Sequence, residues 1–93
     1  MVFRSMIKLF THEGCSNCKI AKKLLQKVLP DFGASYETHV SEMDIEDPDA
    51  LAELLMMNTQ HIPTIVIEDT VLTGKDATDE GKIRAVLSFK LKS

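Results

Sequence analysis

The chain contains only two cysteines, Cys15 and Cys18, which lie three positions apart in the segment GCSNCK. Two thiols at this spacing can form a reversible disulfide, hold a soft metal ion such as Cu(I), or pack in a core as small apolar side chains. The loop that a disulfide would close here is too short to stabilise a fold through chain entropy. A Cys-x-x-Cys pair beside a β-α-β pattern is typical of a redox centre, which makes redox chemistry the leading hypothesis.

The two cysteines fall where a predicted strand gives way to a predicted helix. Apolar and polar residues alternate over residues 6–11, and residues 19–28 carry an apolar stripe at helical spacing that includes Ile20. If the helix begins near residue 16, its free N–H groups and dipole favour the thiolate form of Cys15. Cys15 is therefore predicted to be the attacking thiol. Cys18, about one turn further along, is predicted to be the resolving thiol that releases a mixed disulfide.

Three side chains near the pair are candidate modulators of its chemistry: His12, Lys19 and His61. A lysine can stabilise a thiolate by its charge, and a histidine beside a cysteine can hold the thiolate or carry a proton. A zinc site is not predicted, because zinc needs about four ligands and the chain has one cysteine pair and three histidines. No metal and no bound cofactor are therefore expected.

The rest of the chain has the pattern of alternating strands and helices. Residues 36–44 are predicted to form a second strand, followed by a helix that Asp47 caps and a proline begins. The apolar run of residues 64–67 is typical of a buried strand, and residues 71–73 are predicted to pair with it. Asp76 is the predicted cap of the last helix. The residues expected on the buried faces of the second and last helices are Leu51, Leu54, Leu55, Ile83, Val86, Leu87 and Leu91.

This order of elements, β-α-β-α-β-β-α, predicts an α/β fold with a four-stranded mixed sheet flanked by three helices. The 93 residues are enough for one domain, which is expected to span residues 1–93. Residues 1–5 are expected to be an extension that the fold does not need, because the first periodic segment begins at Met6.

A second motif, Ile62-Pro63-Thr64, stands directly before the most apolar strand. The chain also has the Cys15–Cys18 pair directly before a helix, and it has a turn containing Gly74 before the last helix. With these features the sequence resembles the thioredoxin superfamily, and more closely its short glutaredoxin-like branch. The resemblance covers residues 6–92, nearly the whole chain, and implies a thioredoxin-like fold.

The resemblance also implies roles for individual residues. Cys15 is the implied nucleophile and Cys18 the implied resolving thiol. Pro63 is the implied cis-proline that faces the disulfide, with the backbone of Ile62 pairing to an extended substrate segment. Gly74 is implied to let the backbone approach a bound peptide or tripeptide. The core positions that the resemblance implies are Phe10 and Ile65.

Several positions depart from the family pattern. The chain has no tryptophan, and Leu9 stands where thioredoxins carry a buried aspartate that assists proton transfer to the resolving thiol. The proton acceptor for Cys18 must then be water or another group. Of the segments through which glutaredoxins bind glutathione, only fragments are present, at His12 and at residues 61–63 and 73–76. The sequence therefore does not imply specific use of glutathione.

These observations predict a small dithiol–disulfide oxidoreductase that passes two electrons to protein disulfides through a mixed disulfide. Its expected partners are target proteins that carry disulfides and an upstream disulfide reductase, and it is expected to act as a monomer. Two alternatives stay open. One is a Cu(I) carrier similar to heavy-metal-associated domains, although Glu13 stands where those domains have methionine. The other is an iron–sulfur cluster shared between protomers, as some glutaredoxins form.

Composition argues against other classes of function. A net charge of −3 without a basic run gives no reason to expect binding of nucleic acid or of an anionic membrane. No apolar run approaches the roughly 20 residues that span a bilayer, and the N-terminal segment is too short and too interrupted for a secretory signal. A cytoplasmic location is therefore expected.

Overall fold

The computed structural model describes residues 7–59 and 61–91. The expected extension of residues 1–5, together with Met6 and Gln60, lies outside the described residues. The strands are β1 (Ile7–Thr11), β2 (Val40–Asp44), β3 (Thr64–Ile67) and β4 (Thr70–Thr73). The α-helices are α1 (Ser16–Val28), α2 (Tyr36–His39), α3 (Pro48–Met56) and α4 (Glu80–Leu91). Short 3-10 turns follow α1 at Leu29–Phe32 and precede α4 at Asp76–Thr78.

The four strands of the described chain form one mixed sheet in the order β2-β1-β3-β4, which confirms the predicted α/β class and sheet. β1 and β2 run parallel, whereas β3 runs antiparallel to β1 with Phe10 opposite Thr64. Because β1 and β2 are parallel, both end at the same edge of the sheet. β3 begins at that edge, because it is antiparallel to β1. The segment that carries the cysteines and the segment that carries Pro63 therefore leave the sheet at one edge.

Apolar side chains cover both faces of the sheet. On one face, Leu9 of β1 packs in the larger core cluster, to which α1 and α4 contribute. On the other face, Phe10 packs with Ala50 and Leu54 of α3. Successive residues of a strand point to opposite faces, which is why the neighbours Leu9 and Phe10 enter different clusters. The structure thus has three layers, and the full burial of Phe10 and Ile65 confirms both core positions that the resemblance implied.

The second predicted strand, over residues 36–44, is wrong in its first half. Tyr36–His39 form a single helical turn, α2, and the strand begins only at Val40. Ser35 precedes this turn, and its Oγ accepts the N–H of Thr38 at 3.2 Å. Such a side-chain cap stabilises a helical turn against the extended conformation. The described part of the chain therefore contains four α-helices, where the sequence predicted three.

The buried faces of α1 and α3 differ from the predicted ones. α1 begins at Ser16, but Ile20, which was expected on its apolar stripe, lies off the buried stripe with 46% of its surface exposed. In α3, Leu54 is buried as predicted, but Leu51 and Leu55 are 39% and 48% exposed. A helix that covers one side of a sheet buries a narrow stripe of residues about four apart, which in α3 is formed by Ala50 and Leu54. The buried residues of α1 are Cys18, Ala21, Leu25 and Val28.

One of the two predicted helix caps is confirmed and the other is wrong. Asp47 caps α3, since its Oδ1 accepts the N–H of Asp49 at 3.0 Å. Asp76 does not cap α4 but begins the 3-10 turn before it. Asp79 takes that place, and its Oδ1 accepts the N–H of Lys82 at 3.2 Å. The chain makes this extra turn before α4 begins, which moves the cap three residues further along.

The last helix, α4, packs on the same face of the sheet as α1. Ile83 and Leu87 are fully buried there, as predicted, and Val86 is half-buried against them. Leu91 was also predicted to be buried, but its side chain lies outside the described part of the structure. Neither α4 nor any other helix in the described part of the chain combines the length and apolar composition that crossing a bilayer requires.

Candidate active site

Cys15 and Cys18 form a disulfide at the N-terminal end of α1, with their Cα atoms 5.2 Å apart. Cys15 is the residue before the first helical residue, and its Sγ accepts the N–H of Cys18 at 3.1 Å. Cys15 is half-buried, whereas only 3% of Cys18 is exposed. The two sulfurs are therefore not equivalent, because Cys15 is partly exposed and lies against free helix N–H groups, whereas Cys18 is buried.

A tight turn delivers Cys15 from β1 to the helix. The N–H of Cys15 donates to the carbonyl oxygen of His12 at 3.2 Å. Gly14, the third residue of this turn, has a φ of +87°. A type II turn needs such a positive φ at this position, and glycine adopts it without a steric penalty. The backbone of His12 is thereby fixed close to Cys15.

The segment before β3 is held by two threonine side chains. Its Ile62–Pro63 peptide bond is cis, as the resemblance implied. Thr64 is fully buried and its Oγ1 donates to the carbonyl oxygen of His61 at 2.6 Å, while the N–H of His61 donates to Thr59 Oγ1 at 3.3 Å. Sequence reasoning had not singled out Thr59. The signal that could have identified it is the tendency of threonine hydroxyls to form hydrogen bonds with nearby backbone groups.

Gly74 lies beside Pro63. Its N–H donates to the carbonyl oxygen of Pro63 at 3.1 Å, directly beyond the paired residues Thr64 and Thr73 of β3 and β4. The last pair between β1 and β3 joins Phe10 to Thr64, so that Pro63 follows at the edge where β1 ends. Ile62, Pro63 and Gly74 thus lie at the edge of the sheet from which the chain turns to Cys15.

An open cleft of about 600 Å³ lies between the start of α1 and the ends of β1 and β2. Both cysteines line it, and Leu9 and Thr11 form part of its wall. The charged or titratable residues around it are His12, Glu13, Lys19, Lys22, Glu42 and Asp44. Among the three predicted modulators, His12 and Lys19 therefore share this cleft with the cysteines. His61 is exposed in the segment before Pro63 and is not among the described residues that line the cleft.

The imidazole of His12 faces two carboxylates. Its Nδ1 lies 3.6 Å from Glu46 Oε2 and 3.9 Å from Asp44 Oδ1. This nitrogen is shut off from solvent and has no hydrogen-bond partner among the described residues. Asp44 is itself held in place, because its Oδ1 accepts the N–H of Glu46 at 2.9 Å. The sequence did not predict this grouping, since it depends on how the ends of β1 and β2 meet.

A second polar cluster, formed by Tyr36, Glu42 and Lys22, contributes Lys22 and Glu42 to the lining of the cleft. Glu42 Oε2 accepts the hydroxyl of Tyr36 at 2.5 Å and lies 3.1 Å from Lys22 Nζ. The hydrogen bond from Tyr36, assisted by Lys22, holds the pKa of Glu42 below its usual range. Burial, and then the bond to Glu42, raises the pKa of Tyr36 above its usual range. Glu42 is the register partner of Leu9, so a carboxylate stands on the strand beside the position where the family aspartate is missing.

Metal ligands are sparse around the disulfide. Within residues 7–59 and 61–91, no three or more His, Cys, Asp or Glu side chains come together as a metal ion would require.

The chain is similar in sequence to a known protein over most of its length. No protein-family model matches the chain. A probable thioredoxin from Archaeoglobus fulgidus is 31% identical to it over 82 residues, which make up 88% of this chain and 85% of that protein. The similarity therefore extends over nearly the full length of both proteins.

Solved structures share the fold. A mutant of a thioredoxin-like protein superposes with a TM-score of 0.67 at 24% identity, over 87% of this chain and 97% of that one. Thioredoxin O2 from Arabidopsis thaliana, in its oxidised state, superposes with a TM-score of 0.68 at 14% identity, over 92% of this chain and 74% of that one. At these identities the likeness shows the three-layer arrangement of sheet and helices.

Proposed function

The chain belongs to the thioredoxin superfamily, and we propose on that premise that it is a small thiol–disulfide oxidoreductase that reduces disulfides of target proteins. The observation that carries this proposal is the Cys15–Cys18 disulfide at the start of α1. One sulfur is accessible there and receives a helix N–H, while the other is buried one turn away. This asymmetry suits a pair in which one thiol attacks and the other resolves.

In the first step of the proposed reaction, the Cys15 thiolate attacks one sulfur of a substrate disulfide. A mixed disulfide between Cys15 and the substrate forms, and the other substrate sulfur leaves as a thiolate that takes up a proton. The free N–H groups at the start of α1, among them that of Cys18, favour the Cys15 thiolate over the thiol.

In the second step, the Cys18 thiol loses its proton and attacks the Cys15 sulfur. The Cys15–Cys18 disulfide forms, the mixed disulfide breaks, and the second substrate sulfur leaves as a thiolate. The substrate has then gained two electrons and the protein has lost two. An upstream disulfide reductase returns the pair to the dithiol by the reverse exchange, so that no bound cofactor is needed in this chain.

We assign substrate binding to the surface formed by Ile62, Pro63 and Gly74. An extended segment of the target protein pairs with the backbone of Ile62 and passes over Gly74. A Cβ at Gly74 would meet no heavy atom within 4 Å, so there is open space above this residue for a substrate backbone. Lys19, which lines the cleft, and His61, which precedes Ile62, remain candidate modulators of reactivity.

The test compares Cys15→Ser with Cys18→Ser in the dithiothreitol-driven reduction of a disulfide-bonded protein. Cys15→Ser should lose turnover completely, because no nucleophile remains at the surface. Cys18→Ser should lose most of its turnover, and when the reduced variant is mixed with the substrate in the absence of dithiothreitol it should accumulate a mixed disulfide at Cys15, identified by intact mass and released when excess thiol is added. Turnover retained by both variants would rule out the proposed mechanism. The wild-type pair should also titrate as a reversible two-electron couple in glutathione redox buffers.

A further inference from the structure

The resolving step poses a problem of proton transfer. Cys18 is 3% exposed, and burial disfavours the thiolate that this step requires. The proton of Cys18 must therefore pass to a group that the thiol can reach, directly or through water. The cleft of about 600 Å³ supplies the space for this transfer, since Cys18 lines it.

The groups around the cleft are unequal as proton acceptors. The charged or titratable groups are Lys19 and Lys22 from α1, His12 and Glu13 from the turn before it, and Glu42 and Asp44 from β2. Glu46 faces His12 from just beyond β2. Lysine side chains ordinarily keep their proton at neutral pH, and carboxylates ordinarily stay ionised there. Glu42 accepts a hydrogen bond from Tyr36 and pairs with Lys22, and both interactions lower its pKa and make it a weaker base. Imidazole is the side chain that ordinarily exchanges a proton between about pH 5 and 8, and His12 supplies it.

The surroundings of His12 suit that task. Its Nδ1 is buried, without a hydrogen-bond partner among the described residues, and faces Glu46 Oε2 at 3.6 Å and Asp44 Oδ1 at 3.9 Å. These carboxylates stabilise a positive charge on the ring. Because Nδ1 faces the carboxylates, Nε2 is the ring nitrogen left to exchange a proton with the cleft, which His12 lines. The hydrogen bond from Cys15 to the His12 carbonyl oxygen fixes the residue at the site.

We propose that His12 accepts the proton of Cys18 in the resolving step, and that Glu46 and Asp44 stabilise the resulting imidazolium. Neutral His12 takes the thiol proton, and the Cys18 thiolate attacks the Cys15 sulfur. The bond from Cys15 to the substrate breaks, and the leaving substrate thiolate is protonated from His12, which returns the ring to its neutral form. The inference rests on the proposed function, because it concerns one step of that reaction.

A chromogenic aryl disulfide separates the two steps. When the reduced protein reacts with dithiobis(nitrobenzoate), attack by Cys15 releases one nitrothiobenzoate and resolution by Cys18 releases a second. Stopped-flow absorbance measured from about pH 5 to about pH 8 resolves both phases. His12→Asn should slow the second phase on the order of 100-fold at neutral pH, with a much smaller effect on the first phase.

Two further variants distinguish proton transfer from a structural role. Imidazole added to His12→Ala should restore part of the second phase, because a free base can enter the open cleft. Glu46→Gln should slow the second phase less than His12→Asn does, and should add nothing in the His12→Asn background, because the carboxylate acts through the ring.

The outcomes separate this inference from the proposed function. A wild-type protein that shows no second phase would overturn both. A normal wild-type second phase that His12→Asn leaves unchanged, or slows only in parallel with the first phase, would overturn the role of His12 alone. Slowing of the first phase only would place the imidazole at the Cys15 thiolate instead and would equally overturn the inference.

Discussion

Gly74 and Gly33 form a matched pair of glycines, one at the assigned substrate surface and the other away from it. Their φ angles are +56° and +73°, and a Cβ at either position would meet no heavy atom within 4 Å. Gly33 ends the 3-10 turn after α1, where its N–H donates to the carbonyl oxygen of Pro30 at 3.1 Å. A side chain at either position therefore costs the same kind of backbone strain, about 1 kcal/mol, and asparagine tolerates this conformation best.

We expect Gly74→Asn to raise the KM for a protein disulfide several-fold, because the new side chain occupies the space over which the substrate backbone passes. Its effect on a small aryl disulfide should be weaker. Gly33→Asn should lose a similar amount of stability in urea unfolding and keep the wild-type KM. Steady-state kinetics with both substrates check this. Equal changes of KM in the two variants would trace the effect to strain and remove Gly74 from the substrate surface.

Helix α3 shows how far packing within an element follows from its position on the sheet. Leu54 and Leu55 are neighbours in the same helix, yet Leu54 is 1% exposed and Leu55 is 48% exposed. Leu54→Ala should lower the free energy of unfolding by about 2–5 kcal/mol, since it leaves a cavity beside Phe10 and Ala50. Leu55→Ala should lower it by less than about 1 kcal/mol. Urea unfolding followed by circular dichroism measures both, and similar losses would show that α3 buries a different face.

The features that could be predicted from the sequence are each specified by a signal within a few neighbouring residues. The Cys15–Cys18 spacing after a strand, the Asp47 cap before a proline and the apolar run of β3 are all local signals. α2 was missed because the apolar alternation of residues 36–44 competes with a cap at Ser35, and the cap prevails in the first half. Local propensity alone does not decide between these two outcomes.

The polar clusters around the disulfide were not predictable for a different reason. The approach of His12 to Glu46 and of Lys22 to Glu42 depends on the register of β1 against β2. A shift of one residue would turn every side chain of β2 to the other face and would remove Glu42 from the cleft. Sequence patterns restrict such a register but do not specify which polar side chains it brings together.

At the scale of the whole molecule, topology assembles a site from segments that are distant in sequence. The parallel pair β1–β2 and the antiparallel pair β1–β3 place the cysteine turn and the Pro63 segment at one edge. The β3–β4 pair then brings Gly74 to within hydrogen-bonding distance of Pro63. The cleft with His12 therefore lies beside the disulfide, and the assigned substrate surface lies at the same edge of the sheet.

The cluster of Tyr36, Glu42 and Lys22 joins α2, β2 and α1, and its titration affects the stability of the whole structure. The pKa of Tyr36 is raised, first by burial and then by Glu42. The folded state therefore binds the proton of the Tyr36 hydroxyl more tightly than the unfolded state does. The resulting stability is fully present below the ordinary tyrosine pKa of about 10 and is lost as the pH rises through the folded pKa. For Glu42, whose pKa is lowered, stability is present above its ordinary range and is lost on acidification.

Tyr36 is the only tyrosine of the chain, so tyrosinate absorbance reports this residue alone. We expect the absorbance of the folded protein to rise at a higher pH than that of the urea-unfolded protein, which should titrate near about pH 10. Glu42→Gln should move the folded midpoint part of the way back, because it removes the negative charge but not the burial, which is the largest cause of the shift. In urea unfolding, the same variant should lose less stability than wild type between neutral and acidic pH. Coincident midpoints for the folded and unfolded wild type would show that Tyr36 does not donate to Glu42, and the link between α2 and β2 would then have to be reassigned.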